Sequence, residues 1–361
     1  MDVLRHAAEF LSVALECCLQ KLWMRGLPPL SLIGGPAEGQ VVIVTGPTSG
    51  IGKETAAALA ARGAHVILAC RSVAKGEALA AELRQQAAAA GQPAPQLEVM
   101  QLDLSSLLSV HQFAAAWRRR GLPLHCLINN AGIFAMGAAR EQTPDGFEAH
   151  LGTNHLAHFL LTLLLLPSLR QAADKAPNRR PCLCRCLLQA GRPSRVVSVS
   201  SKLHFVGRLR RQDMNLQTGY SSLAAYGQSK LAQVMFAAEL QRRTGGGVVS
   251  VAVHPGEVLT EVVRSLPGPI RTAYRFLLQT VLLTPQQGAR CSLYCATSPD
   301  LYRPALKGCY YFDSNCAPVQ PSREAQDAEL AAWLWRWSAA AVGLQPADDL
   351  PPQAAAAGGA R

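Results

Sequence analysis

Short apolar runs of about five residues alternate along the chain with longer segments in which apolar residues recur at helical spacing. Runs of this length, bounded by Gly, Pro and polar residues, are typical of buried strands. The pattern predicts seven strands: Val41–Thr45, His65–Ala69, Leu97–Gln101, Leu124–Ile128, Arg195–Val199, Val248–Val253 and Gly308–Phe312.

The intervening segments are predicted to be helices. They are Ile51–Arg62, Ala74–Ala89, Leu107–Arg119, about Asp145 to Leu166, Leu223–Arg243 and Pro285–Thr297. Strict alternation of apolar strands with helices indicates the α/β class, with a Rossmann-type doubly wound parallel sheet. We therefore expect a single domain of this type, with an N-terminal helix and a C-terminal helical tail.

Composition narrows the function classes. The chain has 361 residues, 49% of them hydrophobic and 16% charged, and a net charge of +11. The basic residues come in short bursts, Arg118–Arg120 and Arg208–Arg211, without interleaved aromatic residues, so we do not expect nucleic-acid binding. The 11 cysteines are an odd number and no secretory signal is evident, which favours reduced thiols in an intracellular, cytosol-facing compartment.

Two segments are candidates for a membrane contact and a metal site. Residues 1–37 contain apolar positions at helical spacing, interrupted by charges, which fits a helix on a membrane surface or a helix packed on the domain. Cys182, Cys184 and Cys186 form a cluster without the CxxC spacing of a zinc site, so no metal is expected.

A glycine-rich turn follows the first predicted strand directly. Gly46, Gly50 and Gly52 stand where a strand ends and a helix begins, the position at which free N–H groups bind a pyrophosphate. The flanking residues Thr45, Ser49, Ile51 and Lys53 belong to the same turn, and Pro47 removes one amide donor. The turn predicts a dinucleotide cofactor.

The end of the second strand bears on the choice of cofactor. An acidic residue there would bind a ribose hydroxyl and favour NAD(H). This chain has Arg71 instead, and a guanidinium suits a 2′-phosphate, with Lys53 adding positive charge. We expect NADP(H) rather than NAD(H); the alternative is that Arg71 is an ordinary surface residue.

A second signal lies far downstream, where Tyr226 and Lys230 are four residues apart on one predicted helix face. Hydride transfer to a carbonyl leaves an alkoxide that needs a proton, and a nearby ammonium is expected to lower the pKa of the phenol that donates it. The pair, together with the glycine turn, predicts an alcohol–carbonyl oxidoreductase.

Taken together, these motifs resemble the short-chain dehydrogenases/reductases over residues 38–320. The matching positions are Thr45-Gly46 with Gly50-Ile51-Gly52, Asp103, Asn129–Gly132, Asn154, Ser200-Ser201, Tyr226, Lys230, Pro255-Gly256 and Thr260. The spacing of 25 positions from Ser201 to Tyr226, and the run Ala69-Cys70-Arg71, are similar to the retinol dehydrogenase and WW-domain oxidoreductase branch. The segments Leu122–Gly137, Tyr226–Phe236 and Pro321–Glu324 resemble plant oxidoreductases called forever young, which are linked to shoot and leaf development.

The resemblance implies roles for individual residues. Tyr226 is the general acid/base, Lys230 also holds the nicotinamide ribose, and Asn154 supports a water-mediated proton relay to Lys230. Ser201 is the expected donor to the substrate oxygen, with Ser200 as the alternative. The remaining implied cofactor contacts are Asp103, Leu104, Asn130, Ala131, Gly132, Pro255, Gly256, Val258 and Thr260.

The resemblance also divides the chain. Residues 38–320 are expected to form the catalytic domain, with an insertion loop at 172–191, followed by a helix at 321–345 and a disordered tail at 346–361. The segment between Gly256 and Pro285 is rich in apolar residues, which suits a lid over a lipophilic alcohol, aldehyde or ketone and equally suits a lid resting on a membrane. The apolar helix before Leu166 is expected to pack on the sheet and on the partner of a homodimer.

Two other function classes compete with an enzyme. One is a catalytically idle dinucleotide sensor, which loss of Tyr226 or Lys230 would mark, and both residues are present. The other is a membrane scaffold whose N-terminal helix is the functional part, in an endomembrane or a plastid. Substrate, reaction direction and organelle do not follow from the residues.

Overall fold

The sheet lies at the centre of the molecule and its strands all run in one direction. The computed structural model describes residues 19–22, 24, 26–135, 137–174, 193–245, 247–258, 282–303, 306 and 308–350. Within these residues seven parallel strands pair in the order β3-β2-β1-β4-β5-β6-β7. Their bounds are β1 Val41–Thr45, β2 His65–Cys70, β3 Leu97–Gln101, β4 Cys126–Asn129, β5 Ser194–Val199, β6 Val248–Val253 and β7 Tyr311–Phe312. The reversal between β1 and β4 confirms the predicted doubly wound parallel sheet.

Helices cover both faces of this sheet. They are α1 Gly50–Ala60, α2 Val73–Ala89, α3 Leu107–Arg118, α4 Ala157–Asp174, α5 Ser222–Thr244, α6 Pro285–Thr297 and α7 Ala328–Ala341. Because both sheet faces are covered, the strands are apolar on both sides. One core contains Phe113, Trp117 and Trp335 under α3, α4, α5 and α7, and the other contains Leu59 and Phe312 under α1, α2 and α6.

The fourth long helix begins differently from the sequence prediction. A continuous helix was expected from about Asp145, whereas Leu151–Leu156 form a π-helical turn that runs into α4. The Glu148 carboxylate accepts a hydrogen bond from Leu151 N at 2.8 Å, which ties down one of the free amides at the start of this turn. Helical periodicity does not distinguish a π turn from an α turn, so the sequence prediction was wrong here.

Leu151–Ala173 is long and apolar enough to cross a membrane, with a mean hydropathy of 1.3 over its best window. However, 72% of that window is buried inside the protein. Phe159 of α4 meets Trp335 of α7 at 5.1 Å between ring centroids, and Phe236 of α5 stacks on the same indole at 5.8 Å. The apolar residues of α4 therefore serve the protein core.

The chain on either side of the predicted catalytic domain also packs against it. Ile33 and Ala37 are buried in the second core, and the Arg62 guanidinium donates to the carbonyls of Leu30 and Ile33. Residues 346–350 were predicted to be part of a disordered tail, which is wrong for these five. Leu350 is 5% exposed, because it packs into the first core and its carbonyl accepts from Arg243.

Two further predictions change at their ends. The last strand is shorter than the predicted Gly308–Phe312, because Gly308 has a left-handed φ of +87° and lies in a turn. Residues 172–174 of the predicted insertion continue α4. The rest of that segment, including Cys182, Cys184 and Cys186, lies outside the described residues.

Candidate active site

The glycine turn between β1 and α1 has the geometry of a phosphate-binding turn. Gly46 and Gly50 adopt positive φ values of +63° and +53°, which side-chain-bearing residues rarely adopt. A Cβ on Gly46 would lie 2.9 Å from the Ala131 Cβ, and one on Gly52 would collide with the Gly46 carbonyl. The glycines therefore let β4 and α1 approach the turn closely.

The first turn of α1 is left without a cap. Its N-cap residue, Ser49, makes no side-chain hydrogen bond to the helix, whereas Ser72 caps α2 and Ser106 caps α3. Uncapped amides at a helix start attract an anion. Ile51 and Lys53 follow in this turn, so the residues present fit the pyrophosphate of a dinucleotide.

Buried hydrogen bonds hold the turn against the end of β4. The Thr45 hydroxyl accepts from the amides of Asn130 and Ala131 at 2.9 and 3.0 Å. The Asn130 side chain donates to the carbonyls of Thr45 and Gly46. The ends of β1 and β4, where the sheet order reverses, therefore form one rigid edge.

The two basic residues expected at the adenosine end differ in their surroundings. Arg71 directly follows β2, is exposed, and has no ion-pair or hydrogen-bond partner among the described residues. Lys53 instead donates to both carboxylate oxygens of Glu82 at 2.8 Å, so its charge is already compensated. Only Arg71 of the two is free for a phosphate.

The residues expected beside the adenine lie after β3. Asp103 accepts hydrogen bonds from the amide and hydroxyl of Ser105 through Oδ1. Leu104 is 8% exposed and packs into the first core. Asp103 is thus the more accessible of the two.

Tyr226 and Ser201 meet at the carboxyl edge of the sheet. Ser201 follows β5, and its side chain accepts from Leu203 N at 3.2 Å and lies close enough to the Tyr226 hydroxyl to lower the pKa of that phenol. Ser200 points the other way and donates to the Lys230 carbonyl at 2.9 Å. Of the two candidate serines, the structure brings Ser201 to the tyrosine.

Lys230 lies one helical turn after Tyr226, with its Nζ 5.4 Å from the centroid of the phenol ring. The ammonium donates to the Val199 carbonyl and to Gln233 Oε1, both at 2.9 Å. A Cβ on Gly132 would lie 3.5 Å from this Nζ and 3.2 Å from Asn154 Oδ1. A glycine at the end of β4 therefore leaves room for both groups.

The sequence predicted that the nearby ammonium would lower the pKa of Tyr226, and the structure contradicts this. Burial and, second, the Glu257 carboxylate raise the pKa of Tyr226, while the hydrogen bond with Ser201 opposes them. Burial also lowers the pKa of Lys230 to about 7. The lysine lies beside the ring rather than on the hydroxyl, so its effect on the phenol is weak.

Asn154 lies in the π-helical turn and joins the loop after β4 to α5. Its side chain accepts from Ile133 N at 2.8 Å and donates to Ile133 O at 3.1 Å and to Ser229 Oγ at 3.0 Å. π turns of this kind occur often at functional sites. In this structure the side-chain amide has a scaffold role, and only its main-chain carbonyl faces the lysine network.

A loop after β4 forms the wall beside the tyrosine. Phe134 stacks on the Tyr226 ring with centroids 4.3 Å apart. The buried His150 accepts from Ala135 N at 3.2 Å and hydrogen-bonds with Glu148 at 2.7 Å, so its Nδ1 carries the proton. Ser222 accepts from Gly137 N at 2.9 Å. The loop is thus fixed at three points around the phenol.

The turn after β6 completes the site. Gly256 has a φ of +82°, and the amide side chain of Gln20 bonds both the N–H and the C=O of Glu257, at 2.8 and 2.9 Å. Val258 forms a bridge with Leu283. Pro255 and Gly256 are buried at this strand end. Thr260 lies outside the described residues.

Sequence reasoning missed several residues of this site. Gln233 was readable from its position three residues after Lys230, since such residues share a helix face. Phe134 lies within the segment Leu122–Gly137, but no sequence pattern pointed to its contact with Tyr226. His158, His150, Glu148 and Glu257 reach the site only through tertiary packing, for which no local pattern gives a signal.

The chain is similar in sequence to known short-chain dehydrogenases. The profile of the short chain dehydrogenases matches residues 40–176. A dehydrogenase/reductase of the SDR family called FEY, from Arabidopsis thaliana, is 40% identical over 314 residues, covering 84% of this chain and 78% of its own length. Mouse retinol dehydrogenase 12 is 41% identical and covers 85% and 87%; mouse polyprenol dehydrogenase is 40% identical and covers 90% and 89%.

Two solved structures are similar to this protein in fold. The crystal structure of an uncharacterized protein from Mycobacterium paratuberculosis superposes with a TM-score of 0.63 at 34% identity, covering 88% of this chain and 97% of its own. An NAD(P)-dependent gluconate 5-dehydrogenase from Beutenbergia cavernae with bound NADP gives 0.55 at 25% identity, covering 80% and 97%.

The doubly wound sheet, the glycine turn and the Ser201–Tyr226–Lys230 grouping define an α/β oxidoreductase of the dinucleotide-binding class. Within that class the chain belongs to the short-chain dehydrogenase/reductase family, in its retinol dehydrogenase branch.

Proposed function

We propose that this protein is an NADP(H)-dependent oxidoreductase that interconverts a lipophilic alcohol and its carbonyl compound. One observation carries the proposal. The Ser201 side chain lies close enough to the Tyr226 hydroxyl to lower the pKa of that phenol, with Lys230 one turn away, at the sheet edge that also bears the uncapped glycine turn. A phenol that is positioned by a serine at a dinucleotide-binding edge is arranged to transfer a proton to or from a substrate oxygen.

Each side chain has a distinct role in carbonyl reduction. The Tyr226 hydroxyl donates the proton to the carbonyl oxygen, and Ser201 donates a hydrogen bond to the same oxygen. The buried Lys230 ammonium is a positive charge beside the phenol ring and weakly favours the phenolate left behind. A bound nicotinamide supplies the hydride. Alcohol oxidation uses the same groups in reverse.

Residues that would hold the cofactor fit NADP(H). The amides at Ser49–Ile51 suit the pyrophosphate, and the third ammonium hydrogen of Lys230 suits a ribose hydroxyl. The guanidinium of Arg71, which has no partner among the described residues, suits a 2′-phosphate. A relative in this fold was solved with NADP, which supports the same choice.

The rim of the site supports a lipophilic substrate. Ile133 and Leu223 are 39% and 38% exposed, one in the loop after β4 and the other one turn before Tyr226. Phe134 adds an aromatic face beside the phenol. Such a lining favours an apolar alcohol or aldehyde, in keeping with the retinol and polyprenol that two relatives carry in their names.

The proposal includes the N-terminal segment as a membrane contact. Gln20 is 1% exposed and clamps Glu257 at the base of the predicted lid. Deleting residues 1–18 leaves this clamp in place. In a flotation assay we expect the full chain to float with liposomes and the shortened chain to remain unbound. Both proteins should turn over a water-soluble aldehyde equally.

The decisive test is hydride transfer. Protein is incubated with NADPH deuterated at the transferable position and with retinoid, steroid and long-chain aldehydes, and the alcohol product is analysed for deuterium. Tyr226→Phe is the control, expected to lower turnover about 10²–10⁴-fold while still binding NADPH. Equal turnover by both proteins would contradict the catalytic role of Tyr226. Tight NADPH binding without turnover of any substrate would favour the dinucleotide-sensor alternative.

A developmental role, implied by the resemblance to the plant forever young group, forms the last part of the proposal. A plant line lacking FEY would be complemented with the wild-type chain and with Tyr226→Phe. Rescue by the wild type alone is expected if the chemistry underlies the role.

A further inference from the structure

A buried carboxamide joins the catalytic lysine to the asparagine of the π-helical turn. Lys230 Nζ donates to Gln233 Oε1 at 2.9 Å, and Gln233 Nε2 donates to the Asn154 carbonyl at 2.8 Å. Gln233 is 2% exposed, and the other two residues are 4% and 0% exposed. The reversed amide would set NH₂ against the ammonium and oxygen against oxygen, so its orientation is fixed.

The Asn154 carbonyl has no acceptor position left. Besides Gln233 it accepts from His158 Nδ1 at 3.0 Å, and a carbonyl oxygen offers two lone pairs. Because His158 Nδ1 is thereby the donor, its Nε2 accepts from the Thr45 hydroxyl at 3.0 Å. A continuous network thus runs from the phosphate turn through His158, Asn154 and Gln233 to Lys230.

This arrangement differs from the relay that the family resemblance predicts. A water between Asn154 and Lys230 would receive a proton at one lone pair and release another. A carboxamide has separate donor and acceptor atoms and stays neutral, so it holds the ammonium without passing protons on. Gln233 and the Val199 carbonyl take two of the three ammonium hydrogens, which leaves one for a ligand.

We propose that Gln233 is a positioning residue of this enzyme, whose carboxamide fixes the Lys230 ammonium against the main-chain carbonyl of Asn154. The inference rests on the proposed function of the same site. One consequence is that Gln233 affects the protonation of Lys230. An acceptor at 2.9 Å favours the protonated lysine against the burial that lowers its pKa to about 7.

Two substitutions of Gln233 should therefore move the titration of Lys230 in opposite directions. Gln233→Leu removes the acceptor, so the ammonium is lost at lower pH. Gln233→Glu places a carboxylate there, so the ammonium persists to higher pH. Other titratable groups near the lysine are Tyr226 on its own helix, His158 on α4 and, beyond the tyrosine, Glu257 after β6. They are the same in every variant.

The titration is read without turnover. The full-length protein is labelled with ¹³C at lysine Cε, the Lys230 signal is assigned with Lys230→Met, and its shift is followed by NMR from pH 5 to 10. We expect the midpoint to fall by about one pH unit in Gln233→Leu and to rise by at least as much in Gln233→Glu, since one unit corresponds to a typical charge-assisted hydrogen bond. The alkaline limb of kcat should move with it.

A matched control separates positioning from packing. Gln228 is 1% exposed on the same helix and also makes two hydrogen bonds, to Met214 O and from Arg210 N. Gln228→Leu is expected to leave the Lys230 midpoint unchanged. If Lys230 titrates at one pH in wild type, Gln233→Leu and Gln233→Glu, the proposal fails. Shifted midpoints in a protein without hydride transfer would overturn the proposed function and keep the lysine link.

Discussion

The Lys230 ammonium lies against the face of the Tyr226 ring, 5.4 Å from its centroid, and its hydrogen bonds go to Val199 and Gln233. A cation over an aromatic face gains energy from the ring itself and does not need the hydroxyl. The ammonium therefore interacts with the ring of Tyr226 and not with its hydroxyl. Burial favours the neutral form of both groups, so it raises the pKa of Tyr226 and lowers the pKa of Lys230. The charged forms of Tyr226 and Lys230 therefore depend on the interactions that a bound ligand makes with them.

Lys230 should make stability depend on pH. Its pKa in the folded chain, about 7, lies below that of an exposed lysine, so between about pH 7 and 10 the unfolded chain binds more protons here. The free energy of unfolding then rises with pH, by up to about 1.4 kcal/mol per unit from this group. Comparing urea denaturation of wild type and Lys230→Met from pH 6 to 9.5 isolates the effect. A constant difference between the two proteins would contradict it.

Phe134 should keep the phenol protonated. Its ring covers one face of Tyr226 at 4.3 Å, and burial is the main cause of the raised pKa of Tyr226. Phe134→Ala admits water to that face and should lower the pKa toward that of free tyrosine. The alkaline limb of carbonyl reduction then begins at lower pH, and KM for a bulky apolar aldehyde rises because its aromatic wall is lost.

The control for this prediction is Phe205, which lies near His204 and Lys202 rather than Tyr226. Phe205→Ala should leave the pH profile in place. An identical profile in Phe134→Ala and wild type would show that the aromatic face does not set the protonation of the tyrosine.

The residues themselves predicted most of the architecture. Val41–Thr45 and Val248–Val253 are β-branched runs between turn signals, and their observed bounds match the prediction. The Tyr226–Lys230 pair followed from their spacing on α5, whereas the place of Ser201 beside them was implied by the family resemblance. The π turn at Leu151–Leu156 and the ordered Leu350 could not be predicted, since both depend on contacts with distant residues.

The electrostatics of the site were the harder part. Lys53 was expected to support the phosphate, yet Glu82, twenty-nine residues away, neutralises it. The lysine was expected to acidify the tyrosine, yet the balance at Tyr226 is set by burial and by Glu257. Sequence spacing indicates which side chains share a face, while a pKa depends on desolvation and on every charge that the fold brings near.

Trp335 should contribute strongly to stability through the contact between α7 and the α4–α5 face. It is 2% exposed, meets Phe159 and Phe236, and donates to Asp349 at 2.9 Å. Trp335→Ala should lower the free energy of unfolding by about 3–5 kcal/mol. Because the loss uncovers apolar surface, sedimentation should also show self-association. Trp333, half-buried beside Trp337, is the matched control, and an equal loss in Trp333→Ala would contradict the special position of Trp335.

Arg71 should decide between the two nicotinamide cofactors. Its guanidinium is exposed at the end of β2 without a partner among the described residues, while Lys53 is paired with Glu82. A charge-assisted hydrogen bond contributes about 1.5–3 kcal/mol, so Arg71→Ala should weaken NADPH binding roughly 10–100-fold and leave NADH binding nearly unchanged. Lys53→Ala should have a smaller effect on both. Calorimetric titration of each variant with both cofactors measures the contrast. Equal weakening of NADPH and NADH by Arg71→Ala would mean that the arginine does not read the 2′-phosphate.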